Sequence, residues 1–501
     1  MRLIATTKYG PVEGFEENGI CRWFGIPFAA PPTGEKRFRR AQAPDPWTQT
    51  LPCRAMRSSP IQFAAGPMGE LMVLNAPASE DCLYLNVWAP ENAEGAPVFV
   101  YIYGGANHMG ESAAPAHDLS AFARDGIVGV SFNYRLGALG FYDFSDLGEG
   151  YDSNCAVSDM ILALKWVHEN IAAFGGDPGN VTICGESAGG TGVYCLLAAP
   201  SARGYFQKAI PMSGLPGNVT PHYVHALNHS LFFEELNLTP QQAAATLKTM
   251  PAEDLVRGGG AVMEKHNDAH QGIFLTGPVI DDLIPDYPWR MLAKGNAKDV
   301  ALLVGTCRDE GGLFCMMGNV PTSWADIAAC LRMGGGEDRL DGFRAAYGDM
   351  PERASVVAWV TDRMFWVDAT RCALAQSRHH RVYAYRFDFV PAMCAQMGIG
   401  ATHSMDIAPG LDTYDLSPAS FYNGTPMDLQ RDIHAKLHGA FAAFARTGDP
   451  NHDAIGQHWE PFTEETRAVM SVDTACTLLR DPNRARFDAW GDLVLYDHET
   501  A

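Results

Sequence analysis

The chain has 501 residues, 47% hydrophobic and 19% charged, with a formal net charge of −21. This composition excludes a disordered chain, and the acidic balance opposes nucleic acid or an anionic membrane as a partner. No run reaches the ~18 consecutive apolar residues of a membrane helix.

The opening residues, Met1 to Lys8, hold no apolar stretch of signal-peptide length. Twelve cysteines without a Cys-x-x-Cys pair read as reduced thiols with no zinc nucleus. The expectation is a cytoplasmic protein with no metal. Before residue 96 the sequence is rich in Pro and turn signals, which predicts short, antiparallel strands at the edge of a larger sheet. Ala96 to Tyr103 is a short β-branched and aromatic run ending at Gly104-Gly105, a buried strand entering a loop. Gly126 to Asn133 reads the same way. Met160, Leu164, Val167, Ile171 and Phe174 recur at helical spacing, and Gly175-Gly176-Asp177-Pro178 stops the pattern. Asn180 to Cys184, Lys208 to Met212 and Asp299 to Gly305 are further strands.

Strand and helix alternate from about residue 96 to 310, which predicts an α/β fold: a mostly parallel sheet with helices on both faces. The segment from about 221 to 288 is helix-like between two strands, an insertion expected over the strand ends where ligands bind. No composition shift marks a linker, so residues 1–501 read as a single domain.

Gly185-Glu186-Ser187-Ala188-Gly189 is Gly-x-Ser-x-Gly, entered by a predicted strand and left by an apolar helix, Thr191 to Ala198. A serine on so sharp a turn exposes its Oγ, and only small neighbours let the backbone bend. A nucleophilic serine also needs backbone donors, a base and an acid. Tyr103-Gly104-Gly105-Ala106 ends an upstream strand, where donors from a second loop are expected. The base should be a late histidine preceded by an acid, but the spacing alone leaves several of the 16 histidines open.

The chain resembles the type-B carboxylesterase/cholinesterase family of α/β-hydrolases over almost its full length. The resemblance rests on Phe24-Gly25-Ile26-Pro27-Phe28-Ala29, Ser79 to Val87, Asn133 to Gly137, Phe174 to Pro178, the elbow at Gly185 to Gly190, and Phe444 to Asn451, in that order. It implies Glu310 as the acid, His403 as the base, and the N–H groups of Gly105, Ala106 and Ala188 as oxyanion donors. Asp309, adjacent to Glu310, is the local rival for the acid. The implied reaction is hydrolysis of a small-molecule ester through an acyl-enzyme, with no cofactor, in a monomer or homodimer. A neutral imidazole acting as base sets an expected rise of activity through a pKa near ~6.5. The resemblance further implies ion pairs Arg37–Glu80 and Arg135–Asp159, and places Glu186 and Asp406 as facing acids behind the histidine.

Several positions depart from the family pattern. Ala106 replaces a glycine. Asn107 stands where an aromatic is usual, which predicts a more polar pocket beside the acyl group. Cys82 occupies a disulfide position, but Pro60 lies where its partner belongs; either a shifted bridge to Cys53 or a free thiol follows. Asp406 replaces a Glu, leaving either an acidic pair with Glu186 or a local turn cap. Ser213 reads as a structural hydroxyl, and His434 with His438, at i and i+4, as an ordinary helix face without the third ligand a metal needs. Two other functions share this sequence logic: a non-catalytic binding member of the fold, and a hydrolase of amides, carbamates or thioesters. Competent residues at all three triad positions favour the enzyme.

Overall fold

Apolar runs without polar alternation belong in strands covered on both faces, and Ala96–Ile102 and Val128–Phe132 occupy the interior of a 13-stranded sheet. In the computed structural model, which describes residues 3–63, 74–266, 276–318, 320–350, 352–414 and 421–497, the sheet has two parts. Leu3–Thr6, Pro11–Glu17, Ile20–Pro27 and Tyr84–Pro90 form an antiparallel edge, each pairing with the next, and Tyr84–Pro90 pairs antiparallel with Val128–Phe132. From there all pairs are parallel, through Ala96–Ile102, Gly176–Glu186, Lys208–Met212, Ala301–Cys307, Val382–Phe387 and Ala468–Val472. Thr477–Arg480 closes the far edge as an antiparallel hairpin partner.

The sheet is thus mostly parallel with an antiparallel N-terminal edge, as the alternation of elements predicts. Boundaries differ where hydrogen bonding reaches beyond the apolar run. Gly176–Glu186 is longer than the expected Asn180 to Cys184, because Gly176 pairs with Ala96 across an irregularity before Val181. The expected helix is Cys155–Asn170, continued by a 3₁₀ turn, Ile171–Phe174, that ends at Gly175 with φ 84°. Between residues 221 and 288 the described chain forms His222–Glu235, Pro240–Thr246 and Ala252–His266, whose apolar faces build a separate cluster with Phe38 and Phe144.

Two charged staples hold distant segments together. Arg37 makes a two-armed pair with Glu80 at 2.7 and 2.5 Å and also donates to the Met250 carbonyl at 2.6 Å. Arg135 reaches Asp159 through Nε and Nη2, at 2.9 and 2.6 Å, while the Arg135 N–H adds a third bond at 3.0 Å. Both side chains of this pair are buried, 4% and 0% exposed. Deleting one partner strands the other charge away from water. Asp159→Ala should therefore cost about 3–5 kcal/mol of unfolding free energy in urea titration; a loss under about 1 kcal/mol would show that solvent reaches Arg135.

Candidate active site

The strand Gly176–Glu186 and the helix Ala188–Ala198 are separated by Ser187 alone. Ser187 has φ 56° and ψ −122°, a conformation that non-glycine residues rarely adopt. Close backbone approach explains its small neighbours. A Cβ on Gly189 would lie 2.0 Å from the Ile102 carbonyl oxygen, and one on Gly185 would lie 2.5 Å from that of Gly189. The Ser187 N–H donates to the Met212 carbonyl at 3.0 Å, which anchors the turn to the neighbouring strand.

This turn sets Ser187 Oγ 2.9 Å from His403 Nε2. His403 Nδ1 lies 2.6 Å from Glu310 Oε2. Glu310 follows the strand Ala301–Cys307 and is fully buried; its other oxygen accepts from Ser213 Oγ at 2.6 Å and the Cys307 N–H at 2.7 Å. Ser213 is therefore a structural hydroxyl that orients the acid. Asp309 turns elsewhere, accepting from Arg308 Nε and from the Ala401 N–H, both at 3.0 Å. The two loops are stitched together: Thr402 Oγ1 donates to the Glu310 carbonyl at 3.3 Å and accepts from the Leu313 N–H at 2.7 Å. Phe314 and Phe365 wall the imidazole, with ring centroids 5.4 and 4.7 Å away.

Two further carboxylates lie close by. Glu186 Oε1 accepts from Ser404 Oγ at 2.6 Å and stands 3.4 Å from His403 Nε2. Asp406 is fully buried and accepts from the Tyr385 hydroxyl at 2.7 Å. Its side chain makes no cap bond to the helix Ile407–Leu411, so the turn-cap reading of Asp406 does not hold. Burial raises the pKa of Asp406, and the charges of Glu186 and Glu310 add to it, to about 7. Burial likewise raises Glu186, against the pull of His403. At His403 burial opposes the charged form, but Glu186, Glu310 and Asp406 outweigh it and push the pKa up to about 9. These groups titrate as a unit.

Among the described residues, the N–H groups of Gly105, Ala106 and Ala188 have no acceptor in the protein. Gly105, Ala106 and Asn107 have φ of 125°, 53° and 65°, so the loop is wound in the left-handed region. Asn107 Nδ2 donates to the Thr276 carbonyl at 2.9 Å, and the residue is only 3% exposed. Cys53 and Cys82 are both free and buried, so the shifted bridge does not form and Cys82 is a free thiol. His434 Nδ1 meets the Pro409 carbonyl at 3.2 Å, while His438 bonds the Gly410 carbonyl and Asp125 at 2.9 and 3.1 Å.

Tyr385, Ser404 and Phe365 are absent from the sequence-based expectations. Tyr385 sits in an apolar strand and Phe365 in a π-helical turn, Asp362–Trp366, so neither carries a local signal of its neighbour.

A serine whose proton can pass to a buried imidazole, beside free backbone N–H groups, has the equipment for acyl transfer, and serine hydrolases are the class built on it. Comparison with known proteins agrees. Residues 2–328 and 347–490 match the Carboxylesterase family, and the chain belongs to that family. It is 35% identical over 482 residues to the para-nitrobenzyl esterase of Bacillus subtilis (strain 168), covering 96% of each chain. It is 29% identical to the acetylcholinesterase of Bungarus fasciatus, over 97% of this chain and 86% of that protein. A PNB esterase structure superposes with a TM-score of 0.88 at 33% identity, covering 97% of this chain and 99% of the other. A Geobacillus stearothermophilus carboxylesterase gives 0.84 at 31% identity, covering 98% and 100%. The fold is that of the α/β-hydrolases, and the protein is a carboxylic-ester hydrolase of the serine type.

The raised imidazole pKa revises the expectation of activity rising near 6.5. In the base role that the resemblance implies for His403, only the neutral imidazole accepts a proton, so activity is expected above its pKa and loss of activity below it. The acid limb of kcat/KM for a nitrophenyl ester should lie clearly above pH 6.5; a limb at or below 6.5 would mean that the carboxylates do not hold the imidazolium.

Proposed function

We propose that Ser187 is the nucleophile, His403 the general base and then acid, and Glu310 the residue that orients and stabilises the imidazolium. The two hydrogen bonds at His403, 2.9 Å to Ser187 and 2.6 Å to Glu310, carry this reading. As Ser187 Oγ attacks the ester carbonyl carbon, its proton passes to Nε2. Developing negative charge on the carbonyl oxygen is met by the N–H groups of Gly105, Ala106 and Ala188, the contribution that usually lowers the barrier most. The imidazolium then protonates the departing alcohol. Water, deprotonated by His403, attacks the acyl-enzyme, releases the carboxylic acid and restores Ser187.

Glu186 and Asp406 form an acidic pair behind the imidazole, with Asp406 held by Tyr385. Asn107 acts by tying the donor loop to the segment at Thr276. The whole chain, 1–501, works as one catalytic domain in the cytoplasm, as a monomer or homodimer, on small-molecule esters. Neither metal, cofactor nor nucleic acid takes part. The absence of a membrane-crossing helix among the described residues is compatible with this placement.

Ser187→Ala should lower kcat at least ~10³-fold on a panel of short- and long-chain nitrophenyl esters, aryl esters and anilides, leaving the thermal unfolding profile intact. Undiminished turnover would overturn the assignment, and the pattern across the panel fixes the acyl and leaving-group preference. Asp406→Asn removes a negative charge from behind the imidazole. Its acid limb should therefore move to lower pH while activity at high pH changes little; an unmoved limb would remove Asp406 from the site.

A further inference from the structure

The loop that carries Gly105 and Ala106 has little to hold itself in shape. Within it, the His108 and Met109 N–H groups both donate to the Gly105 carbonyl at 3.0 Å. Gly110, which ends it, has φ 114°. A backbone wound through left-handed conformations relaxes unless its surroundings over-determine it. At one end the Asn107 carbonyl accepts from the Gly137 N–H at 2.7 Å and Asn107 Nδ2 donates to Thr276; at the other end the holding contacts converge on Glu111 and its neighbours.

Glu111 is 3% exposed, although a buried carboxylate is costly unless its oxygens are hydrogen-bonded. Its Oε2 accepts from Ser59 Oγ, whose residue is fully buried. Its Oε1 accepts from the Asn75 N–H at 2.6 Å and from Asn75 Nδ2 at 2.8 Å. One side chain thus grips positions 59 and 75, which lie 16 residues apart in the chain. The residues on either side of Glu111 are fixed as well. Gly110 exchanges two hydrogen bonds with the Gln62 amide, at 2.8 and 3.0 Å. The Ser112 N–H donates to Asn133 Oδ1 at 2.8 Å, and Asn133 Nδ2 in turn reaches the Ser58 carbonyl at 3.0 Å. Ser59–Pro60 pairs in parallel with Ala78–Ser79. This is the region where the family resemblance implies a disulfide from Cys82, and where Cys82 is instead a free thiol facing the same small cavity as Pro60.

We propose that Glu111 is a positioning residue, clipping the segments around Ser59 and Asn75 to the end of the donor loop and so fixing where the Gly105 and Ala106 N–H groups point. The clip takes over the closure that a disulfide at positions 60 and 82 would provide. This inference rests on the reading of those N–H groups as oxyanion donors. Its reach is specific: a misaligned donor loop weakens the transition state, in which the oxygen is charged, more than the bound ester, in which it is not.

The test compares wild type with Glu111→Ala and Ser59→Ala as full chains. For each, kcat and KM are measured on a short-chain nitrophenyl ester, together with the affinity of a trifluoromethyl ketone, whose serine adduct carries the oxyanion. Glu111→Ala should lower kcat ~10- to 10²-fold with KM within about twofold, and ketone affinity should fall in proportion to kcat/KM. Ser59→Ala keeps the carboxylate and removes one donor, so it should show the same proportionality at smaller size even where Glu111→Ala does not fold. Adding Pro60→Cys to Glu111→Ala, oxidised to bridge Cys82, should restore kcat and ketone affinity together. Variants that keep wild-type kcat and ketone affinity would overturn the clip, as would a loss of thermal stability with ketone affinity unchanged. A wild-type enzyme that binds the ketone no more tightly than its ester substrate would instead overturn the donor reading itself, and the clip with it.

Discussion

The backbone at Ser187 is the constraint on which the rest of the site depends. A serine at φ 56° and ψ −122° costs of order 1–3 kcal/mol and persists only where neighbouring structure leaves no alternative. Here the preceding strand, Gly176–Glu186, is paired in parallel on both sides, with Ala96–Ile102 and with Lys208–Met212. The following helix lies so near that Gly189 would drive any Cβ into the Ile102 carbonyl. Sheet and helix together leave one path for the chain between them, and that path places Oγ against His403. The large parallel core, buried on both faces, is thus the counterweight to a strained turn.

Electrostatics forms the second layer. Three buried carboxylates surround one imidazole, an arrangement that would be unstable if all were bare. Glu310 is satisfied by Ser213, the Cys307 N–H and His403. Glu186 accepts from Ser404, and Asp406 Oδ2 from Tyr385, while Asp406 Oδ1 is buried without a hydrogen-bond partner among the described residues. Burial and the neighbouring Glu186 and Glu310 raise the Asp406 pKa to about 7, while the imidazolium gains from the negative charges around it. On the proposed roles, the same charges that steady the imidazolium formed during attack also delay its deprotonation at rest, so stabilisation of the intermediate is traded against activity at low pH.

Much of this was legible in the sequence, for identifiable reasons. The parallel strands announce themselves as uninterrupted apolar runs, and the Gly-x-Ser-x-Gly turn as a break between a strand and a helix. The spacing of residues could not choose among the histidines; the ordered motifs of the family resemblance selected His403 and Glu310, and the hydrogen bonds join them to Ser187. The contributions of Tyr385, Ser404 and Glu111 were not legible. Tyr385 meets Asp406, 21 residues further on, and Glu111 meets Ser59 and Asn75, through tertiary folding alone. The direction of Asn107 was not legible either: sequence gives its polarity, while the left-handed loop sends its Nδ2 to Thr276.

The central claim is that one serine among many is activated by its neighbours, and covalent capture tests it most directly. Incubation with an organophosphate, followed by mass spectrometry of the intact chain and of its peptides, should give one adduct per active chain, located on Ser187, with activity lost in step with labelling. An adduct on Ser213, or full inactivation with Ser187 unmodified, would contradict the account.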